Sequence, residues 1–580
     1  MRPEKQIKTG HIEEPGVAVW AQRYRAAEFD EPDLDAGFLR VVEALAQIEG
    51  RESRTWAQRF GDAMCERRFI PAGRILAGAG RKHSTTLANC FVMGTIEDSI
   101  DGIFSALKES AVTLQAGGGI GIDVSTIRPR GTAAVRTGGA ASGPVSFLQV
   151  WNQMSETVLS TSARRGAMMA VIDCDHPDVL AFASAKQDPQ ALQHFNISVL
   201  ITDAFMHALQ ADDDWTLRFG NHSSQILPAR EVWESILANN REGGEPGVLF
   251  IDRINLRNRL AYCEQLRATN PCGELPLPPY GACLLGSLIL PQFVTDPFKD
   301  NADVDWHALE TTVGVGVRML DNACDLARFP LQPQSDRAMA TRRIGMGVTG
   351  LADMLIMLGL HYDSDAGRNM AMRVMQRIRD VAYRASCELA QEKGSFAAFE
   401  AGQYLGNDAA PPLPEDIRAD IHRRGLRNSH LTAIAPTGSI SLLADNVSSG
   451  IEPVFDWSYR RRFLLPDGTR TELAVEDFAW RHYRKMFKGV ERTSVFQRGT
   501  DTDSTSQVRM VGALQPFVDS GISKTIGLTA DAPLSEYDAL YRQSYNEGLK
   551  GITTFPEAAA RGTVLLPPEH CHAGTGERCD

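Results

Sequence analysis

The chain has 580 residues and a formal net charge of −12, with 43% hydrophobic and 23% charged residues, a composition typical of globular proteins. The acidic balance argues against a protein that coats nucleic acid, because neutralising phosphates requires clustered Lys and Arg. Ten cysteines are too few for a disulfide scaffold. We find no signal peptide and no uncharged apolar run near the ~18 residues of a membrane span, so we expect a cytoplasmic protein with reduced thiols.

The chain-order pattern predicts three parts. Residues 1–80 are polar and helix-rich, which indicates an N-terminal helical region. Short apolar strands alternate with amphipathic helices over 81–560, which favours parallel α/β packing, and a polar stretch near 456–510 indicates a surface excursion. Residues 561–580 predict a flexible tail that carries two cysteines.

The clearest predicted helix covers 98–115. Its apolar residues share one face at three- to four-residue spacing: Ile100, Ile103, Phe104, Leu107, Ala111 and Leu114. Asp98 is the expected N-cap, and Gly117-Gly118-Gly119 ends the helix. A short strand over 120–124 should follow, then a loop rich in Gly, Ala and Ser, and Pro144 is placed to begin the next helix.

Cys272 stands in Asn270-Pro271-Cys272-Gly273-Glu274, where Pro and Gly predict irregular backbone. A lone cysteine is most often a small buried hydrophobe, which is the alternative here. A carboxylate two residues away raises a thiol pKa, so the motif does not suit a thiolate nucleophile. It suits hydrogen-atom chemistry at a neutral S–H group, with Glu274 acting as a base toward substrate.

Two other cysteines, Cys90 and Cys283, are candidates for redox chemistry although they lie outside this motif. Cys90 lies in Ala88-Asn89-Cys90-Phe91-Val92, and Cys283 opens an apolar run. Spacing alone leaves two alternatives open, a reducing pair or two unrelated buried cysteines.

A phosphate-binding turn is predicted at 435–441. The apolar stretch Leu431–Ala435 predicts a buried strand, and Pro436, Thr437, Gly438 and Ser439 form a turn before a probable helix. Free amides and hydroxyls at such a helix start bind phosphate. An ordinary Ser/Thr helix cap is the alternative.

Taken together, these motifs resemble the catalytic chain of ribonucleotide reductase, most closely the class II form that depends on adenosylcobalamin. The resemblance covers about 69–565. It rests on the segments 89–92, 117–121, 270–274, 342–348 and 435–439.

The resemblance implies a ten-stranded α/β barrel with Cys272 at the tip of a finger loop through its centre. It implies that Cys272 forms a thiyl radical which takes the ribose 3′-hydrogen, that Glu274 accepts the 3′-hydroxyl proton, and that Asn270 hydrogen-bonds at the ribose. Cys90 and Cys283 would then reduce the intermediate and end as a disulfide. Pro436, Thr437, Gly438 and Ser439 would hold the substrate phosphates.

Regulation and partners also follow from the resemblance. It implies a homodimer whose deoxynucleotide effector binds near Asp98 and Arg128, with Gly118, Gly119 and the loop of Arg165 relaying its identity to the substrate. Thioredoxin or glutaredoxin would re-reduce the enzyme. Cys571 and Cys579 stand where a tail dithiol is expected, although a metal site with the neighbouring histidines is an alternative.

The classes of ribonucleotide reductase differ in the source of the radical, and the sequence bears on which source this chain uses. The stretch 551–556 lacks the tyrosine pair of class I chains, and no glycyl-radical motif is apparent, which leaves adenosylcobalamin. No D-x-H-x-x-G motif is present, so no residue is named as a metal ligand. The alternatives are a reductase whose radical comes from a separate metallosubunit, and a non-catalytic nucleotide-binding regulator.

Overall fold

A mostly parallel β-sheet surrounded by helices forms the centre of the chain. The computed structural model describes residues 15–26, 28–82, 85–134, 138–158, 166–464, 470–489, 493–529, 531–556 and 565–566. The strands within these ranges are β1 Phe69–Pro71, β2 Cys90–Val92, β3 Gly119–Asp123, β4 Ala133–Ala134, β5 Gly139–Ala140, β6 Met168–Asp173, β7 Phe195–Ile201, β8 Asp214–Phe219, β9 His222–Pro228, β10 Gly247–Phe250, β11 Ala268–Thr269, β12 Pro276–Leu277, β13 Ala282–Ile289, β14 Val294–Thr295, β15 Asp303–Val304, β16 Ile344–Thr349, β17 Ser458–Leu464, β18 Arg470–Glu476, β19 Thr525–Leu528, β20 Gly551–Pro556 and β21 Leu565–Leu566.

The helices of the described ranges vary from one turn to eight. They are α1 Pro15–Arg23, α2 Leu34–Ala46, α3 Ser53–Cys65, α4 Gly73–Gly78, α5 Ile100–Gln115, α6 Pro144–Thr157, α7 Val179–Ala183, α8 Asp203–Ala211, α9 Ala229–Gly243, α10 Ile251–Leu256, α11 Trp306–Leu326, α12 Gln332–Thr341, α13 Leu351–Met357, α14 Asp365–Lys393, α15 Ala401–Leu405, α16 Glu415–Arg424, α17 Ile440–Leu443, α18 Phe478–Met486, α19 Ser504–Leu514 and α20 Leu534–Asn546. None of the described helices combines the length and the apolar character that crossing a bilayer requires.

The main sheet contains two sets of strands that run in opposite directions. Its order is β1-β13-β2-β3-β6-β7-β10-β20-β19, and β16 pairs with β13. The strands β2, β3, β6, β7 and β10 are parallel to one another. β13 and β16 are parallel to each other and antiparallel to β2, and β19 and β20 are parallel to each other with β20 antiparallel to β10. The predicted parallel α/β packing is therefore present within each set.

The segment predicted as a buried strand at 431–435 is buried through Ile434 but pairs by single bridges. Thr432 bridges Met346 of β16, and Ile434 bridges Ile522 just before β19. The carboxylate of Asp519 accepts from the amides of Leu431 and Thr432 at 2.8 and 3.3 Å. Because a side chain takes these two amides, a regular ladder does not form there. The probable helix after the turn is a single turn, Ile440–Leu443.

The helix predicted over 98–115 begins two residues later than expected. Ser99, not Asp98, is the N-cap, since its hydroxyl accepts from the amide of Gly102 at 3.0 Å. Asp98 instead pairs with Arg128, with its Oδ2 2.8 Å from the Nε atom. The prediction of Asp98 as the N-cap was wrong, because its carboxylate is hydrogen-bonded to the guanidinium group of Arg128. The helix that Pro144 was expected to begin does start there.

Ion pairs around the buried Arg318 attach the N-terminal helices to the rest of the chain. Arg318 of α11 lies 3.0 Å from Glu49 and 2.6 Å from Glu392, and Lys393 also donates to Glu49 at 2.8 Å. Burial raises the pKa of Glu49, but bonds from Lys393 and Asn322 outweigh it and the pKa is lowered. Glu49 is thus held ionised between the two cations, which fixes the helical region on α11 and α14.

Candidate active site

The cysteine motif forms a tight loop between β11 and β12, and we call residues 270–275 the finger loop. The two strands pair antiparallel at Ala268 with Leu277 and Thr269 with Pro276. The amide of Gly273 donates to the carbonyl of Asn270 at 3.0 Å, and Gly273 has φ of 82°, a value that favours glycine. The side-chain carbonyl of Asn270 accepts from the amide of Leu275 at 2.9 Å, which closes the loop.

The finger loop packs closely on β3 and is hydrogen-bonded to β7 and to Gly521. Asn196 of β7 donates through Nδ2 to the carbonyl of Pro271 at 2.8 Å. A Cβ atom added at Gly121 would lie 1.9 Å from the carbonyl oxygen of Thr269, and one at Gly119 would lie 3.3 Å from the Pro271 ring. The amide of Gly521 donates to the carbonyl of Glu274 at 2.7 Å. The glycines of β3 therefore provide the space in which the loop lies.

Two of the predicted site residues, Glu274 and Cys90, meet at the side chain of a third, Asn270. Its Nδ2 atom lies 2.8 Å from Oε2 of Glu274 and 3.2 Å from Sγ of Cys90. Cys90 and Cys283 are direct partners across the antiparallel pair of β2 and β13, and both are buried. They are neighbours in space, as the first of the two alternatives requires.

Cys272 at the tip of the finger loop is exposed, unlike Cys90 and Cys283. The ordinary buried cysteine weighed as an alternative for this position is therefore wrong. Cys272 is close enough to Cys90 to act on its titration. The loop thus presents one accessible thiol beside a buried pair.

Burial sets the protonation of the site. It raises the pKa of Glu274 to about 7, against the lowering effect of the hydrogen bond from Asn270. The pKa of Cys90 is raised well above its usual value by burial first, and then by Glu274 and Cys272. Burial likewise raises the pKa of Cys283. Near neutral pH the pair therefore consists of protonated thiols, while Glu274 is poised to exchange a proton.

The predicted phosphate turn is held by hydrogen bonds and is contacted by two arginines. Thr437 has φ of 54°, and its hydroxyl is 2.8 Å from the amide of Gly450 and 2.8 Å from the hydroxyl of Thr349. Ser439 precedes α17 but makes no side-chain capping bond, so the ordinary-cap alternative is wrong. Arg461 of β17 donates to the Gly438 carbonyl at 2.8 Å, and Arg23 of α1 donates to the Ser439 hydroxyl at 2.7 Å.

The remaining predicted residues fall into two groups. Gly118 packs on Phe91, since an added Cβ atom would lie 2.5 Å from its ring, and Asp98 and Arg128 form the pair described above. Arg165, Cys571 and Cys579 lie outside the described residues.

Sequence reasoning missed several residues that the fold brings to the site. Gly121 had a signal, because it ends the motif 117–121 and a glycine within a strand often marks a close backbone approach. Asn196, Arg461 and Arg23 had none, because each reaches the site from a distant part of the chain and its local sequence is ordinary.

Comparison with known families gives a match over nearly the whole chain. Residues 88–555 match the ribonucleotide reductase barrel domain, and residues 13–84 match the ribonucleotide reductase all-alpha domain. This chain belongs to the ribonucleotide reductase family. The family boundary at 84–88 lies close to the end of the helical region expected at residue 80.

Curated relatives of this reductase chain carry two kinds of name. A vitamin B12-dependent ribonucleoside-diphosphate reductase of Mycobacterium tuberculosis is 36% identical over 95% of this chain and 80% of its own length. One of Thermoplasma acidophilum is 33% identical over 92% of this chain and 68% of its own length. A ribonucleoside-diphosphate reductase large chain of Neurospora crassa is 30% identical over 68% of this chain and 47% of its own length.

Proposed function

We propose that this chain reduces ribonucleoside diphosphates to 2′-deoxyribonucleoside diphosphates, with adenosylcobalamin as the radical source. The observation that carries the proposal is the meeting of Glu274 and Cys90 on the amide of Asn270, next to Cys272 and Cys283. A nucleotide-binding regulator has no need of such a set. The names of the relatives that align over more than nine-tenths of this chain support the same activity.

The proposed chemistry assigns one task to each group. A thiyl radical at Cys272 takes the ribose 3′-hydrogen atom, and Glu274 accepts the 3′-hydroxyl proton while Asn270 holds the carboxylate. The 2′-hydroxyl then leaves as water. Cys90 and Cys283 supply two electrons and two protons and become a disulfide, and Cys272 returns the 3′-hydrogen. The balance is one ribonucleotide and one dithiol converted to one deoxyribonucleotide, one disulfide and water.

The residues present fit adenosylcobalamin, which when bound supplies the radical that oxidises Cys272. The fit rests on an open face at the tip of the finger loop, where Cys272 is exposed and a Cβ atom at Gly273 would meet nothing within 4 Å. β20 contains no tyrosine that could relay a radical from a second subunit. The metallosubunit alternative is therefore not favoured, and no residue is assigned as a cobalt ligand.

We also infer that the main sheet closes into a ten-stranded barrel around the finger loop. The two ends of the sheet are linked through 431–435, because Thr432 bridges β16 and Ile434 bridges Ile522, three residues before β19. The close packing of Thr269 and Pro271 on β3 supports a loop inside this barrel. Enclosure of this kind protects a radical from water.

Substrate phosphates are proposed to bind at the turn of Pro436, Thr437, Gly438 and Ser439. The bonds of the Thr437 hydroxyl to Gly450 and Thr349 support a role for Thr437 in shaping the turn. Gly438 and Ser439 then present backbone and hydroxyl groups to the phosphates.

Regulation and re-reduction of the enzyme are also part of the proposal. We propose that a deoxynucleotide effector binds near Asp98 and Arg128 in a homodimer, and that Gly118, Gly119 and the loop of Arg165 relay its identity to the substrate. Exposed apolar residues on α5 support the dimer, since Ile100 is 65% and Phe104 is 49% exposed. Thioredoxin or glutaredoxin would re-reduce the Cys90–Cys283 pair through Cys571 and Cys579.

Anaerobic turnover of CDP tests the proposal. Deoxycytidine diphosphate should form with adenosylcobalamin and a dithiol, and should not form when the cofactor is omitted. Cys272→Ser should abolish product, whereas Cys65→Ser, a change at another exposed cysteine, should leave the rate unchanged. Equal turnover without the cofactor, or turnover by Cys272→Ser, would contradict the assignment.

A further inference from the structure

Arg461 of β17 and Arg23 of α1 converge on consecutive residues of the phosphate turn. Arg461 Nη2 lies 2.8 Å from the Gly438 carbonyl oxygen, and Arg23 Nη1 lies 2.7 Å from the Ser439 hydroxyl. The two arginines are 438 residues apart in sequence and come from the N-terminal region and from the 456–510 excursion. Their meeting at one turn is therefore a product of the tertiary fold.

The electrostatics around Arg461 favour the binding of an anion. Both arginines are partly buried, and desolvation lowers the pKa of Arg461. The charge and the hydrogen bond of Tyr459 act in the opposite direction and raise the pKa of Arg461. No carboxylate of the described residues pairs with Arg461. Its neighbour Arg460, by contrast, is exposed and lies 3.9 Å from Glu472. A partly buried guanidinium without a counter-ion is costly unless a ligand supplies the charge.

The turn itself is a weak source of positive charge. α17 is only four residues long, so it contributes little dipole to an anion at its start. The Thr437 hydroxyl is already bonded to Gly450 and Thr349. A nucleoside diphosphate carries several negative charges, and an arginine binds phosphate through a fork of N–H donors. Arg461 and Arg23 each donate a hydrogen bond to the turn, so both guanidinium groups lie beside it.

We infer that Arg461 and Arg23 are substrate-binding residues that neutralise the terminal phosphate of the ribonucleotide, so that helix α1 forms one wall of the substrate site. This inference rests on the proposed function and deepens it, because it names the residues that hold the charge of the diphosphate. The close seating of α1 on α17 supports it, since a Cβ atom at Gly16 would lie 2.7 Å from the carbonyl oxygen of Leu442.

Equilibrium binding of CDP and CMP to the full chain tests this assignment without turnover. Arg461→Met and Arg23→Met should each weaken CDP binding ~10-fold or more, the usual effect of losing a charge-assisted hydrogen bond. CMP lacks the terminal phosphate, so its binding should change less and the CDP-to-CMP affinity ratio should fall. Arg461→Lys keeps the charge and should lie between wild type and Arg461→Met.

Matched variants exclude a general effect of removing arginine. Arg460→Met on the same strand and Arg25→Met after α1 remove exposed arginines and should leave both affinities unchanged. In turnover, the two test variants should raise KM for CDP more than they lower kcat.

An unchanged CDP-to-CMP ratio in both test variants, whether binding is intact or lost equally for both nucleotides, would overturn the assignment. Absence of deoxynucleotide product from the wild type, with the ratio still altered in the variants, would instead overturn the proposed activity alone.

Discussion

Glu274 illustrates how the surroundings of one side chain determine its chemistry. The carboxyl group is fully enclosed, and burial raises its pKa to about 7, while Asn270 donates to it at 2.8 Å. A carboxyl group with its ordinary pKa would be a weak base toward a hydroxyl at neutral pH. Raised to about 7, it is matched to accept and return a proton within one turnover.

The rate of CDP reduction should therefore rise with pH through about 7, because Glu274 must be ionised to accept the hydroxyl proton. Glu274→Gln keeps the bond from Asn270 but removes the base, so kcat should fall by ~10²-fold or more and this limb of the pH profile should disappear. The measurement is kcat against pH from 5.5 to 8.5. The same limb in Glu274→Gln would show that another group produces it.

At the scale of elements, β3 and the finger loop are fitted to each other. Any side chain at Gly121 would meet the Thr269 carbonyl, and Gly119 faces the Pro271 ring. Arg267, just before β11, bonds to Asp123 at 2.9 Å and to Asp173 at 2.9 Å, so the start of the loop is also fixed to the ends of β3 and β6. The position of Cys272 thus depends on two strands that carry none of the chemistry.

Gly121→Ala should displace the finger loop, because a backbone carbonyl cannot move aside as a flexible side chain can. We expect a loss of about 2 kcal/mol in the free energy of unfolding and a fall in turnover larger than stability alone explains. The control is Gly527→Ala on β19 of the same sheet, where an added Cβ atom would have no neighbour within 4 Å. Urea unfolding and CDP turnover measure both, and full activity in Gly121→Ala would contradict this account of the loop.

A second pair of elements is joined by two buried carboxyl groups. Asp353 of α13 accepts from the amides of Ser448 and Ala479, and Asp477 caps α18 beside it. Burial raises the pKa of both, and the charge of Asp353 raises that of Asp477 further. The hydrogen bond between them lowers the pKa of Asp353 and raises that of Asp477, so the pair holds a proton in the folded state. The excursion that carries Arg461 is anchored at this pair.

Stability should therefore fall as pH rises. The folded pair retains a proton that the unfolded chain releases above about pH 4, so the free energy of unfolding decreases from there until the pair itself ionises. Asp477→Asn mimics the protonated form and should flatten this dependence, with a gain of order 1 kcal/mol near pH 8. Asp503→Asn, which alters the exposed cap of α19, is the control for thermal unfolding between pH 5 and 8. If the stability of Asp477→Asn and that of the wild type changed equally with pH, the proposal that the pair shares a proton would be contradicted.

For the whole molecule, the face of α5 that the sheet does not cover is the proposed dimer surface. Ile103 and Leu114 are buried, whereas Ile100, Phe104 and Val112 are exposed, so the single apolar stripe predicted from spacing is divided between two surfaces. Phe104→Glu should produce a monomer in sedimentation velocity, while Ile226→Glu on β9, where Ile226 is 64% exposed, should not. A wild-type monomer, or a dimer of Phe104→Glu, would contradict this interface.

Motifs local in sequence were predictable, and contacts between distant segments were not. The finger-loop motif, the α6 start at Pro144 and the burial of 431–434 followed from residue type and spacing. The Cys90–Cys283 contact depends on the antiparallel pairing of β2 and β13, which spacing does not encode. Asp98 and Ser99 are both good caps, and only the arrival of Arg128 decides between them. Arg461 and Arg23 reach the turn from segments far apart in the sequence, and their meeting was not predictable for the same reason.

The most direct test is disulfide mapping after anaerobic reaction of the pre-reduced chain with adenosylcobalamin and CDP, without external reductant. The account predicts deoxycytidine diphosphate in an amount limited by the enzyme, formed together with a disulfide between Cys90 and Cys283, and neither product in Cys272→Ser. The account would be contradicted if deoxynucleotide formed while peptides from the whole reacted sample still showed both Cys90 and Cys283 as thiols.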